Sequence, residues 1–207
     1  MSKVVIFPGV GLHEDEHKYD SFLDTIRASG FDVEVNWWRH SWPLPSFNVD
    51  VSYNIIRKWA YEVILDFQQV VRHAFTMQVP EADYYIGHSA GSVVALAQSK
   101  PAITFGSPAI LVEILNDGQR LDNGSCDELP FQVMFREANT NKKIFNVINT
   151  RDVLAYPLYY NGVENYYYSG PWWKLSTYNP VTAHTEYWED KKVAQKMVER
   201  LQQWEKE

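Results

Sequence analysis

Apolar and polar positions alternate in two distinct rhythms along the chain. Residues 4–7 (VVIF) form a short apolar run stopped by Pro8-Gly9, which predicts a buried strand entering a tight loop. Tyr19, Phe22, Leu23 and Ile26 then recur at helical spacing, and Ser29-Gly30 supplies a helix stop. Residues 31–35 alternate as a strand does, and NWWRHSWPLPSF reads as a Pro/Trp-rich loop. A long amphipathic helix is expected over 55–75, carried by Ile56, Trp59, Val63, Phe67, Val70 and Ala74. Residues 84–86 predict a strand and 89–98 a helix ended by Lys100-Pro101; 102–105 and 143–148 predict two more strands. Residues 116–130 are a polar, turn-rich loop, and 156–180 an irregular Tyr/Trp-rich region. From His184 a C-terminal helix runs through Trp188, Ala194, Met197, Leu201 and Trp204. Strands alternating with helices call for a mostly parallel central sheet with helices on both faces, an α/β class fold. No repeat, low-complexity tract or long linker divides the chain, so residues 1–207 are expected to form a single domain.

The bulk properties narrow the function. The net charge of −7 argues against a nucleic-acid surface, which needs a basic footprint. No apolar run is long enough for a transmembrane helix, and the N-terminal run is too short for a signal peptide. The one cysteine, Cys126, has no partner for an internal disulfide and lies in a polar stretch without a nearby His or Lys. A reducing compartment, and hence a cytoplasmic location, is the expectation.

Two motifs offer chemistry. Residues 13–17 (HEDEH) match H-E-x-x-H, in which two imidazoles one helical turn apart bind zinc beside a glutamate base. Here the flanks are glycine-rich or charged, and no third ligand is evident nearby. Glu14, Asp15 and Glu16 instead suit the positive end of a helix dipole, so no metal is expected. The second motif is GHSAG at 87–91, a G-x-S-x-G placed between a predicted strand and a predicted helix. That junction needs Gly87 and Gly91, because strand and helix cross closely there. Ser89 would project above the sheet edge, and the Ala90 N–H at the helix start would face a developing oxyanion.

A serine hydroxyl attacks only when a base takes its proton, and the base needs an orienting acid. His184 is the one histidine downstream of Ser89. Asp152 follows the strand KIFNVINT at its C-terminal end, where ligands of open α/β sheets gather. Asp117, Asp122 and Asp127 lack a strand to hold them, and Asp190 lies too far into the last helix. A second oxyanion donor is expected in the loop after the first strand, from the Val10 N–H, with Gly9 permitting close approach. No cofactor is required.

Four segments in order are similar to the class 3 (fungal-type) lipase family of α/β-hydrolases. GHSAG resembles its elbow, ITFGSPAI its strand and Phe-Gly-x-Pro turn, FNVINTRDVLAYPL its acid loop, and AHTEYW its His-x-x-Tyr ending. The resemblance covers about residues 84–188 and implies an α/β-hydrolase-like fold, with Ser89 as nucleophile, Asp152 as acid and His184 as base. Ser92 departs from the family's second glycine, the N-terminal half is shorter, and no lid helix is evident. The expected activity is hydrolysis of a small-molecule or lipid-like carboxylic ester through an acyl-enzyme. The alternatives are a thioesterase or peptidase with the same side chains, or a non-catalytic binding module. Trp37, Trp38, Tyr156 and Trp172 are candidates to line the substrate site, since amphipathic rings bury area while orienting polar groups. The plain alternatives for this aromatic region are a loop packed on itself or a contact between copies in a homo-oligomer.

Overall fold

The computed structural model of the chain describes residues 1–9, 17–37, 74, 77–109, 138–169 and 180–207. Among these described residues there are six strands: β1 (Lys3–Phe7), β2 (Asp32–Val35), β3 (Tyr84–His88), β4 (Ala102–Phe105), β5 (Ile144–Asn149) and β6 (Val163–Tyr168). They form a sheet in the order β2-β1-β3-β4-β5-β6, and every neighbouring pair is parallel. Among the described residues the α-helices with both ends defined are α1 (Asp20–Ala28), α2 (Ala90–Ala97), α3 (Pro180–Thr185) and α4 (Lys191–Trp204).

The strand sequences explain the burial. A parallel sheet is covered on both faces, so its inner strands read as continuous apolar runs. Val4, Ile6, Ile86, Ile103, Phe105, Phe145 and Val147 meet Phe22, Leu23 and Ile26 of α1 and Val193, Met197 and Leu201 of α4 on one face. Val5, Phe7, Tyr85, Ala102 and Ile144 meet Val93, Val94 and Leu96 of α2 on the other. Side chains alternate between faces with the pleat, and each fully buried Ile or Phe stabilises the fold by roughly 1.5–3 kcal/mol. The expected sheet with helices on both faces is therefore present.

Two expectations need correction. Residues 163–168, inside the stretch whose sequence predicts irregular structure, form β6, which pairs with β5 from Ile144↔Val163 to Asn149↔Tyr168. β6 is an edge strand with only intermediate and exposed positions, so it lacks the apolar run of an interior strand. A polar rung fixes it: Thr104 Oγ1 donates to Asn146 Oδ1 (2.8 Å), and Asn146 Nδ2 donates to Asn165 Oδ1 (2.9 Å). Asn165 then exchanges hydrogen bonds with both backbone groups of Leu158. The C-terminal helix is also not continuous from His184. α3 ends at Thr185, a 3₁₀ turn spans Glu186–Trp188, and α4 restarts behind Asp190, whose side chain accepts the Lys192 N–H. The helix expected over 55–75 lies outside the described residues except for Ala74, which is buried.

The N-terminal helix is preceded by a 3₁₀ turn, His17–Tyr19. His17, the last residue of HEDEH, is exposed and pairs with Asp20 at 3.1 Å. Residues 13–16 lie outside the described residues.

Chain order and sheet order together locate a crevice. From β1 the chain moves outward to β2, then returns to β3 on the other side of β1. The C-terminal ends of β1 and β3 therefore flank a topological switch point, where open α/β sheets bind their ligands. Phe7-Pro8-Gly9 leaves one of these strands and His88-Ser89 the other, with Phe7 in register with Gly87.

Candidate active site

At the end of β3 the backbone turns sharply into α2. Ser89 takes φ 53° and ψ −127°, a left-sided conformation that costs a non-glycine residue of order 1–3 kcal/mol. The surrounding glycines make the turn possible. A Cβ on Gly87 would lie 2.4 Å from the Gly91 carbonyl oxygen, and one on Gly91 would lie 2.1 Å from the Phe7 oxygen. Gly9 closes in from the β1 loop, where a Cβ would sit 2.7 Å from Ser89 Cβ. Both motif glycines and Gly9 are thus required by contact between three chain segments.

Beneath the turn lies a run of hydroxyls. The Ala109 N–H donates to Ser107 Oγ (3.3 Å), Ser107 and Ser92 Oγ are 2.8 Å apart, and Ser92 Oγ donates to the Ser89 carbonyl at 2.5 Å. Because a hydroxyl has one proton, the order is settled: Ser107 donates to Ser92, which donates to Ser89. Ser92 is therefore a structural support of the strained residue.

The three side chains expected to act together meet at this end of the sheet. Ser89 Oγ lies 2.8 Å from His184 Nε2, and His184 Nδ1 lies 2.8 Å from Asp152 Oδ2. An ionised carboxylate only accepts, so Nδ1 carries the proton, Nε2 is the acceptor, and the serine hydroxyl donates to it. The Asp152 side chain has no solvent exposure, and that of His184 is 12% exposed. Asp152 is held from several sides. Its Oδ1 accepts the Leu154 N–H at 2.9 Å, an Asx turn, and its Oδ2 also accepts the Tyr187 hydroxyl at 2.9 Å. Tyr187 in turn accepts the Asn149 N–H (2.9 Å) at the end of β5. Burial, and then the charge of Asp152, raise the Tyr187 phenol well above its ordinary value, so it remains a donor. Gly106, at φ 59°, lets the chain pass: a Cβ there would lie 3.1 Å from His184 Cε1 and 3.2 Å from Asp152 Oδ2.

The remaining expected residues divide. Ala90 is buried as the first residue of α2, where backbone N–H groups lack an intrahelical acceptor. Tyr156 is half-buried; its N–H donates to the Ser107 carbonyl and its carbonyl accepts from Asn146 Nδ2. Trp37 is half-buried against the α1–α4 core, 5.8 Å from the Tyr19 ring. Val10, Trp38, Trp172 and Cys126 lie outside the described residues. Among the described residues no cluster of His, Cys, Asp or Glu is arranged to hold a metal ion, and no helix is long and apolar enough to cross a membrane.

Sequence alone assigns no role to His88 or Ser107, and it marks Tyr187 only as the end of His-x-x-Tyr and Trp188 only as an apolar helix position. Tyr187 had a signal, since three residues after His184 is one helical turn. His88 and Ser107 occupied variable positions of their motifs, where nothing in the one-dimensional pattern marks a buried contact.

No family model matches the chain, and no curated protein matches it. Solved structures do. The chain is similar to the ferulic-acid complex of Est1E from Butyrivibrio proteoclasticus, with 14% identity and a TM-score of 0.50, covering 97% of this chain and 90% of that one. Another Est1E structure matches at 14% identity with a TM-score of 0.49, covering 97% and 88%. The esterase domain of a Rhodothermus marinus protein matches at 11% identity with a TM-score of 0.41, covering 91% and 83%. The fold, a parallel sheet with helices on both faces and an esterase structure among its likenesses, is α/β-hydrolase-like.

Proposed function

We propose that this chain is a serine hydrolase of carboxylic esters, acting through Ser89, His184 and Asp152. The observation that carries this reading is the hydrogen-bonded line from Ser89 Oγ through the imidazole of residue 184 to a fully buried carboxylate. The positive φ of Ser89 at a helix start, above a switch point of the sheet, supports the same reading.

In the reaction Ser89 Oγ attacks the ester carbonyl carbon while its proton passes to His184 Nε2. Asp152 keeps the ring in the Nδ1–H tautomer and stabilises the imidazolium. The Ala90 N–H at the start of α2, with a second donor from the β1 loop at Val10, receives the negative oxygen. The tetrahedral species collapses as His184 protonates the leaving alcohol, giving an acyl-serine. Water then attacks that ester, giving its proton to His184; the serine is restored and the acid leaves. Val153 and Leu154, exposed immediately after Asp152, and the ring of Tyr156 supply apolar surface for the substrate. Trp37, Trp38 and Trp172 are further candidates for this lining. The elbow, acid-loop and His-x-x-Tyr resemblances favour a class 3 lipase-like enzyme in a compact form, with no lid helix evident in the sequence.

The test is covalent labelling by a fluorophosphonate. Ser89 is expected to label and Ser89→Ala to lose both label and ester hydrolysis; absence of labelling in the unmodified protein would sink the reading. A thioesterase or peptidase would share the same side chains, and p-nitrophenyl esters compared with thioesters and peptides separate these activities.

A further inference from the structure

His88, the residue before the nucleophile, is buried and has polar contacts on both ring nitrogens. Its Nε2 lies 2.7 Å from the backbone carbonyl oxygen of His184. Its Nδ1 lies 3.3 Å from the indole Nε1 of Trp188. An indole N–H can only donate, and a carbonyl can only accept. These two partners define one state: neutral imidazole, with its proton on Nε2 and its lone pair on Nδ1.

Trp188 is itself pinned. Its ring makes edge contacts with Tyr19 and Phe22 (both 4.9 Å) and with Phe105 (4.8 Å), so it couples the 3₁₀ turn to α1 and β4. The His88 ring lies 4.9 Å from the His184 ring, in addition to holding that residue's carbonyl. His184 sits next to the end of the short α3, just before the 3₁₀ turn, where helix geometry alone does not hold the backbone. The distance from its ring to Ser89 therefore depends on what anchors its carbonyl as well as on the Asp152 contact at Nδ1.

We infer that His88 is a positioning residue: its Nε2–H, with the tautomer set by Trp188, holds the backbone of His184 so that Nε2 of that residue meets Ser89 Oγ. This rests on the hydrolase reading above. The nucleophile and the residue that aligns its base are then adjacent in the chain, and any shift of the elbow carries the base along with it.

Two amides separate this role from simple packing. In His88→Gln the amide nitrogen is as many bonds from Cβ as Nε2 is, so it can donate to the His184 carbonyl. In His88→Asn the amide reaches only to the level of Nδ1; it can satisfy Trp188 but not His184. Hydrolysis of a p-nitrophenyl ester, the fluorophosphonate labelling rate, the melting temperature and the low-field proton resonance of the His184–Asp152 hydrogen bond are measured for each. The Gln variant is expected to keep kcat close to wild type and to retain the low-field proton. The Asn variant is expected to lose roughly 10- to 100-fold in kcat and labelling rate, with KM little changed and the proton resonance broadened. Equal activity in the two variants, or losses that follow melting temperature alone, would overturn the inference. Nitrogen NMR of unmodified His88 reads the tautomer even if no ester is hydrolysed. A proton on Nε2 alone is expected, and one on Nδ1, or on both nitrogens, refutes the assignment. Failure of the unmodified protein to label, by contrast, counts against the hydrolase reading.

Discussion

Replacing Tyr187 by Phe removes one oxygen and leaves the ring in place. The contacts of that ring with Phe105 (5.5 Å) and Tyr168 (5.6 Å) survive, so packing is nearly constant. The oxygen, however, serves two buried groups: it donates to Asp152 Oδ2 and accepts the Asn149 N–H, each at 2.9 Å. Losing a hydrogen bond to a charged acceptor costs about 1.5–3 kcal/mol, and stranding a buried N–H costs about 1–3 kcal/mol. The two overlap, because Asp152 keeps the Leu154 and His184 donors. A net loss of roughly 3 kcal/mol follows, which in a chain of this size lowers the melting temperature by roughly 6–12 °C. Without its third donor the carboxylate is freer to rotate away from His184, and kcat should fall roughly tenfold or more. Differential scanning calorimetry and steady-state ester hydrolysis read the two effects. A Tyr187→Phe protein that melts within a degree or so of the parent and turns over at the same rate would refute this account of how Asp152 is held.

Gly106→Ala introduces a methyl against His184 and Asp152 at φ 59°, where an L-residue pays roughly 1–2 kcal/mol. It should lower the melting temperature by a few degrees and kcat by a larger factor; an unchanged kcat argues against the close approach. Lys142 is a pH probe. Its Nζ donates to the carbonyls of Ala95, Leu96 and Gln98 at the C-terminal end of α2, while burial lowers the ammonium from 10.5 to about 7. Between those values the unfolded chain holds the extra proton, so this group makes stability rise with pH across the window, by at most about 5 kcal/mol. Below pH 7 both states are protonated and the full desolvation cost remains. Urea denaturation at several pH values should show the stability of the parent over Lys142→Met growing from pH 7 to 10.5; a flat difference contradicts the burial.

Where side chains are buried on both faces, the one-dimensional pattern was sufficient. β1, β3, β4 and β5 are apolar runs with turn signals at their ends, and GHSAG sits between a strand and a helix as its glycines require. The candidate residues 89, 152 and 184 were legible because nucleophile, acid and base must differ in chemistry, and only one histidine follows the serine. β6 was not legible, since an edge strand stabilised by a Thr-Asn-Asn rung carries neither an apolar run nor a clean alternation. The break at Glu189-Asp190 was hidden for another reason: apolar residues on both sides keep helical spacing although the axis restarts. His88 and Ser107 act through buried hydrogen bonds to partners 96 and 15 positions away, information that no local window contains.

The strand nearest the start of the chain is an interior one. β1 has β2 on one side and β3 on the other, and Val4 pairs with Tyr84, 80 positions later. At synthesis rates of roughly 5–20 residues per second, VVIF waits about 4–16 s after emerging before its second edge can be covered. During that interval the backbone N–H and C=O groups that face β3 in the native sheet lack that partner. A pause of the ribosome between residues 35 and 84 lengthens that interval in proportion.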